Sequence, residues 1–198
     1  MTIPSTQLVT PSPPHSEPVD DCAICLEPLN SRLDALTTLE CNHTYHRSCI
    51  AQSMVNNDMR CPQCKHPIDF DQLNGWVKID TLDELIAQTP DNAEWHNLKG
   101  IVLSSDECNQ KQAGAAAFSR AIHLSPTTFQ YWLNLGARWP NATPTLPIQR
   151  QDGSIERITR LQAVSKAHDL NPYHSAPSSL LNQINSESIS SAKPTAPV

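Results

Sequence analysis

Residues 22–64 read CAICLEPLNSRLDALTTLECNHTYHRSCIAQSMVNNDMRCPQC and contain six of the seven cysteines of this 198-residue chain. Histidines stand among them, and together they form a set of candidate metal ligands in close pairs: Cys22, Cys25, Cys41, His43, His46, Cys49, Cys61 and Cys64. One or two residues separate the members of each pair, so both side chains of a pair can turn toward one ion. The stretch is therefore predicted to be a metal-binding module.

Zinc suits this ligand set best, because it accepts thiolate and neutral imidazole together and prefers a closed four-coordinate shell in structural sites. Eight ligands fill two such sites, so we expect two Zn²⁺ ions. The alternatives are a chance cluster or a disulfide knot. An odd number of cysteines and the absence of a secretory pattern at the N-terminus disfavour disulfides.

The overall composition excludes several classes of protein. Apolar residues make up 38 % and aromatic residues 5 % of the chain, with 17 prolines and 5 glycines, which disfavours one large core. The formal net charge of −6 argues against a protein built to bind nucleic-acid backbone. With no signal-like start and no apolar run long enough to span a bilayer, we expect a cytoplasmic or nuclear protein without membrane contact.

The ligand pattern resembles a RING finger of the subtype with histidine at the fourth and fifth ligand positions, and residues 22–64 match it from first ligand to last. A PHD finger is the nearest competitor, but it usually has cysteine as fourth ligand and a longer gap before the histidine. The resemblance implies a cross-brace, in which alternate ligand pairs share an ion. One site would hold Cys22, Cys25, His46 and Cys49, and the other Cys41, His43, Cys61 and Cys64.

The same resemblance implies a ubiquitin ligase that binds a ubiquitin-charged conjugating enzyme and forms no covalent intermediate, so none of its residues is catalytic. The contact positions of the family fall on Ile24, Met54, Pro62 and Lys65. A tryptophan common in the family is replaced by Ser53, and a common arginine by Lys65. Lysine keeps the charge but lacks the planar fork of arginine, which implies a weaker or more selective ligase.

Two later segments repeat one another. The stretch SRAIHLSP at 119–126 aligns with SKAHDLNP at 165–172, and Trp95-x2-Leu98 aligns with Trp132-x2-Leu135. This pattern resembles tetratricopeptide repeats, which usually bind other proteins, so the resemblance implies a surface for a substrate or adaptor. The alternative is an unrelated pair of helical hairpins.

The expected fold class is a small zinc-stabilised α+β RING finger followed by an all-α region of helical hairpins. The predicted organisation is a disordered segment, a zinc module, a linker with a short helix near 80–88, a helical region and a disordered tail, at 1–19, 20–68, 69–90, 91–172 and 173–198. Three prolines and a glycine place a loop at 140–153 within the helical region. Two further hypotheses stay open: a non-enzymatic zinc scaffold, and nucleic-acid binding through zinc, which the acidic charge opposes.

Overall fold

The structure is a computed structural model that describes residues 20–31, 35–56 and 59–191, the last four of these by backbone alone. The first strands and helices are β1 (Leu36–Thr38), β2 (Thr44–His46), α1 (Arg47–Asn56) and α2 (Gly75–Gln88). The following ones are α3 (Ala93–Leu103), α4 (Lys111–Leu124), α5 (Phe129–Ala137), β3 (Leu146–Gln149), β4 (Ile155–Ile158), α6 (Arg160–Leu170) and α7 (Ser175–Ser191). The segments expected to be disordered at 1–19 and 192–198 lie outside the described residues.

A two-stranded antiparallel sheet and one helix form the first core. Thr37 of β1 pairs with Tyr45 of β2, and α1 follows β2 directly. Tyr45 and Ile50 are fully buried among the cysteines of this region. So few apolar residues bury too little surface to hold the segment together without a further restraint.

Helix α2 joins this first core to the rest of the chain. It begins at Gly75, where the side chain of Asn74 accepts a hydrogen bond from the Val77 amide at 3.0 Å. The short helix expected near 80–88 is thus longer and starts earlier, because Asn74 provides the N-cap. Residue 81 lies inside this longer helix, where the hydroxyl of Thr81 donates to the Val77 carbonyl at 2.8 Å.

Helix α2 contacts both the first core and the segment that precedes α4. Val77 is fully buried in the first core, and the Asp80 carboxylate pairs with Arg47 of α1 at 2.7 Å. On the other side, the Gly75 amide donates to the Glu107 carboxylate at 2.8 Å, just before α4. The segment predicted as a linker therefore packs as a structural helix.

The helical region contains two hairpins, α3 with α4 and α5 with α6. Gly100 of α3 lies so close to α4 that an added Cβ would meet the ring of Phe118 at 2.6 Å. Gly136 of α5 allows a similar approach by Val164 of α6. These glycines allow the helices to pack closely, although the likeness to tetratricopeptide repeats stays a prediction.

The loop expected at 140–153 is partly a β-hairpin, which corrects the sequence interpretation. Strands β3 and β4 pair antiparallel, with Ile148 opposite Glu156, and the turn contains Gly153 at a φ of 84°. Prolines exclude a helix there, but Leu146, Ile148 and Ile158 are buried against the helical core. In β3 the two apolar residues Leu146 and Ile148 alternate with Pro147 and Gln149, and this alternation was the available sequence signal for a strand.

The tail expected to be disordered from residue 173 contains α7. Pro177 is fully buried, and Ala176 and Leu180 pack against the helical core, so one face of a Ser- and Asn-rich helix is apolar. The polar composition of this segment gave little indication of its narrow apolar face. Packing of that face against the helical core stabilises the helix. Within the described residues, each helix is too short or too polar to cross a membrane.

The close approach at Gly100 predicts a reversal of the usual helix propensity. Alanine normally favours a helix interior by about 1 kcal/mol over glycine. Gly100→Ala should instead lower the free energy of unfolding by about 1–3 kcal/mol, because the methyl group collides with the Phe118 ring. Urea denaturation of the zinc-bound chain measures the change.

The matched control is Gln112→Ala on the exposed side of α4. It should change the unfolding free energy by less than about 0.5 kcal/mol. A Gly100→Ala chain as stable as the wild type would show that α3 and α4 are further apart than in this structure.

Candidate metal centre

The structure brings the eight candidate ligands together in two groups. The first contains Cys22, Cys25, His46 and Cys49, and the second contains Cys41, His43, Cys61 and Cys64. Within each group, the potential ligand atoms all lie within 4.8 Å of one another. The two groups interleave along the chain, as the resemblance implies for a cross-brace.

Two similar turns position the cysteine pairs at the two ends of the stretch. The Leu26 amide donates to the Cys22 carbonyl at 2.8 Å, and the Lys65 amide donates to the Cys61 carbonyl at 2.9 Å. Leu26 and Lys65 both have positive φ angles, 62° and 63°. This backbone turns the two thiols of each pair toward the same point.

The middle four ligands come from the β1–β2 hairpin and the start of α1. Cys41 and His43 lie in the turn before β2, where Asn42 has a φ of 62°. His46 ends β2, and Cys49 lies in the first turn of α1. Because this short segment supplies two ligands to each group, it connects the two sites.

The distances between ligand atoms fit tetrahedral zinc. Zn–S bonds of about 2.3 Å and Zn–N bonds of about 2.0–2.1 Å place the ligand atoms of such a site roughly 3.6 Å apart. The Nδ1 atom of His46 lies 3.4 Å from Cys25 Sγ and 4.0 Å from Cys49 Sγ. The Nδ1 atom of His43 lies 3.4 Å from Cys41 Sγ and 3.6 Å from Cys61 Sγ.

The orientation of His46 also fits a ligand role. Its Nδ1 atom faces the thiols, while its Nε2 atom is buried with no hydrogen-bond partner among the described residues. A fully buried imidazole with one unpaired nitrogen is costly unless the other nitrogen gains a strong interaction. Zinc binding at Nδ1 would supply that interaction.

Within each group, ionisation of one thiol disfavours ionisation of its neighbours. Burial and the neighbouring thiols raise the pKa of Cys49 to about 12, and burial with the thiols of the second group raises that of Cys41 to about 11. Burial also opposes ionisation of Cys22 and Cys61, but hydrogen-bond donors outweigh it and lower the pKa of each to about 6. A central dication stabilises all the thiolates of a group together.

Tyr45 contacts the second ligand group through its hydroxyl. Its hydroxyl lies 3.1 Å from Cys61 Sγ and donates to Gln63 Oε1 at 2.9 Å. Burial and the adjacent Cys61 raise the pKa of this phenol, which therefore stays protonated as a donor. Sequence reasoning missed this role, although an aromatic residue between two ligands in an aromatic-poor chain was an available signal.

The expected contact positions for a conjugating enzyme differ in exposure. Ile24 and Pro62 are half-buried and Lys65 is exposed, so each presents part of its surface to solvent. Met54 is only 1 % exposed and packs in the first core, so its expected contact with the enzyme stays a prediction that its burial does not favour. On a helix, adjacent positions point in different directions, and it is Ser53 that is partly exposed.

Comparison with known proteins supports a RING finger. A family model described as a ring finger domain matches residues 20–65. The E3 ubiquitin-protein ligase RZFP34 of Arabidopsis thaliana is 33 % identical over 86 residues, which are 43 % of this chain and 28 % of that protein. The human E3 ubiquitin-protein ligase RNF125 is 44 % identical over 45 residues, 23 % of this chain and 18 % of that protein.

A third relative, the mouse E3 ubiquitin-protein ligase TRIM56, is 43 % identical over 44 residues, 22 % of this chain and 5 % of that protein. The chain thus spans less than a third of the length of these relatives. Together, the match and the geometry show a RING finger with histidine at the fourth and fifth ligand positions and two sites that fit zinc. The names of its homologues associate this kind of finger with ubiquitin transfer.

The two ligand groups predict two zinc ions per chain by elemental analysis of purified protein. Cys22→Ser removes a ligand of the first group and should reduce the content to about one ion or fewer. The control is Cys108→Ser, because Cys108 belongs to neither group. One ion in the wild-type chain would contradict the two-site arrangement.

Chelation of zinc should unfold the first core and also weaken the start of α2. Amide hydrogen exchange should accelerate across residues 20–66 and near Val77, because the core that buries Val77 depends on the metal sites. Residues of α4 to α6 have a separate core and should keep their protection. Unchanged exchange near Val77 would show that α2 folds independently of the RING finger.

Proposed function

We propose that this chain is a RING-type ubiquitin ligase that binds a ubiquitin-charged conjugating enzyme and promotes direct transfer of ubiquitin to a substrate lysine. The observation that carries the proposal is the complete eight-ligand double site within a region similar to proteins named E3 ubiquitin-protein ligases. The zinc ions supply folding energy and fix the loops that carry the contact residues.

The proposed contact surface for the conjugating enzyme consists of Ile24, Pro62 and Lys65. Ile24 lies between two ligands on the first cysteine turn, and Pro62 and Lys65 belong to the corresponding second turn. The metal sites therefore determine the position of all three residues. An apolar pair beside a cation suits a partner surface with both apolar and acidic groups.

The proposed mechanism is catalysis by positioning. Six of the seven cysteines are in the metal groups, and the seventh, Cys108, is buried with 8 % exposure beside Glu107. Because each cysteine is either a candidate metal ligand or buried, a covalent ubiquitin intermediate on this chain has no support. Holding the charged enzyme and the lysine in one geometry lowers the entropic part of the barrier.

The helical region is proposed to recruit the substrate or an adaptor. Its connection to the RING finger is α2, which has a fully buried residue in the RING core and a backbone hydrogen bond to Glu107. A helix that contacts both regions gives the bound partner a defined position relative to the conjugating enzyme. No role for nucleic acid is proposed, given the net charge of −6.

The activity is tested by reconstituted ubiquitination with a panel of conjugating enzymes and by ubiquitin discharge to free lysine. Ile24→Ala should reduce the discharge rate by about tenfold or more, because apolar anchors at the centre of an interface often contribute most of its energy. The matched control is Ile155→Ala, which removes an equally sized side chain with 69 % exposure from the β3–β4 hairpin.

Lys65→Arg provides a gain-of-function test. Arginine can form several hydrogen bonds with one planar group where lysine forms fewer, so discharge should accelerate by several-fold. The matched control is Lys111→Arg at the start of α4, which should leave the rate unchanged.

The second candidate function is a non-enzymatic zinc scaffold, which Ser53 and Lys65 favour because both depart from the residues common in the family. The scaffold hypothesis predicts no discharge by the wild-type chain or by Lys65→Arg with any enzyme of the panel. It also predicts no NMR shift changes at Ile24 and Pro62 when charged enzyme is added. Either discharge or such shifts would exclude it.

A further inference from the structure

The residue that caps the N-terminus of α2 is followed by glycine, and Asn74-Gly75 is the single Asn-Gly pair of the sequence. The asparagine of such a pair can lose ammonia, because glycine has no Cβ to hinder the approach of its backbone nitrogen to the asparagine Cγ atom. Asn74 is exposed to solvent, whereas Gly75 is buried. The pair lies outside the metal ligands and outside the proposed contact surface for the conjugating enzyme.

Packing requires glycine at residue 75. An added Cβ there would meet Cys108 Sγ at 2.6 Å and the Glu107 carboxylate at 3.1 Å. The Gly75 amide also donates a hydrogen bond to that carboxylate at 2.8 Å. A bulkier residue, which would slow the loss of ammonia, therefore does not fit between α2 and the segment before α4.

Hydrogen bonds hold the Asn-Gly pair in an unreactive conformation. The Asn74 side-chain oxygen accepts from the Val77 amide at 3.0 Å, and the Asn74 carbonyl accepts from the Lys78 amide at 3.1 Å. The backbone of Asn74 is extended, with a ψ of 154°. Attack on Cγ requires rotation about this ψ, which moves the side chain and the carbonyl out of these bonds. The intact first turn of α2 therefore prevents the reaction.

The stability of this first turn depends on the zinc module. Val77 is fully buried in the first core, together with candidate ligands of both groups such as Cys22 and Cys61. Loss of metal unfolds a core of this size. The start of α2 then loses the contacts of Val77, and local opening of the first turn releases Asn74.

We propose that Asn74 is a deamidation site that opens when the RING finger loses its zinc. The Gly75 nitrogen forms a bond to Asn74 Cγ, the bond from Cγ to Nδ2 breaks, and ammonia leaves with the proton of the Gly75 amide. Water then adds to either carbonyl carbon of the resulting cyclic imide and opens the ring to aspartate or isoaspartate. This inference does not rest on the proposed ligase function.

The isoaspartate product cannot restore the start of α2. Its main chain passes through Cβ and Cγ, so residue 74 gains one backbone atom, and the carbonyl that accepted from Lys78 becomes a carboxylate. The tight contact of Gly75 with Cys108 Sγ leaves no room for the extra atom. A chain that has lost and regained zinc would therefore keep a weakened connection between the RING finger and the helical region.

Peptide mass spectrometry of the full chain tests the proposal after incubation with a reductant, either zinc-bound or with a chelator. Methylation by an isoaspartyl methyltransferase measures the isoaspartate. Chelation should accelerate deamidation of Asn74 at least about tenfold, because the rate follows the population of the open turn. The internal control is Asn185 of α7, which precedes Ser186 and should react at the same rate in both samples.

Val77→Ala tests whether the first core protects Asn74 while zinc is bound. The smaller side chain weakens the contact of α2 with that core, so deamidation of Asn74 in the zinc-bound chain should accelerate several-fold. The matched control is Val164→Ala on α6, which makes the same truncation at a valine that is also fully buried. It should leave the rate at Asn74 unchanged.

Restoring zinc after the incubation tests the consequence. The deamidated wild-type chain should rebind zinc, but amide exchange near Val77 should stay faster than before. Asn74→Ser keeps a capping side chain without an amide, so its protection near Val77 should return in full.

Equal deamidation of Asn74 with and without zinc, or equal effects of the two valine substitutions, would overturn the proposal. Full protection of α2 in the deamidated chain, or incomplete recovery of Asn74→Ser, would overturn it as well, because the weakened connection would then not arise from residue 74. Ubiquitin discharge is measured separately, so its failure would refute the ligase and leave this inference standing.

Discussion

The interleaving of two four-ligand groups is the constraint on which the first half of the molecule depends. Each group joins a cysteine pair at one end of the stretch to a ligand pair in its middle, because the β1–β2 hairpin and α1 supply ligands to both. The apolar core of this region is small, and its buried residues include the cysteines themselves. Metal binding and folding are therefore one event, as in other small zinc modules.

This dependence extends past the last ligand through α2. Val77 completes the core that the ligands enclose, and the Arg47–Asp80 ion pair adds a contact between α1 and α2. At the start of α2, the Gly75 amide bonds to Glu107, and an added Cβ at Gly75 would meet Cys108 Sγ at 2.6 Å. One helix thus contacts both the zinc module and the segment between the helices of the first hairpin, and the surfaces on the two halves have a defined relation.

The proposed contact surface for the conjugating enzyme depends on the metal sites. Around Ile24 and Pro62, the metal sites impose the backbone conformation, so the contact residues are held without a large core. The fold thus positions a small number of side chains with little freedom, which reduces the entropic cost of binding.

The sequence by itself determined the metal chemistry, since the type and spacing of eight ligands depend on local geometry that residue order specifies. It also indicated the paired helices between residues 91 and 172, where two segments repeat one another. Tertiary packing decided the rest. Whether Met54 or Ser53 faces solvent depends on where α2 packs, and the order of α7 depends on a narrow apolar face meeting the helical core.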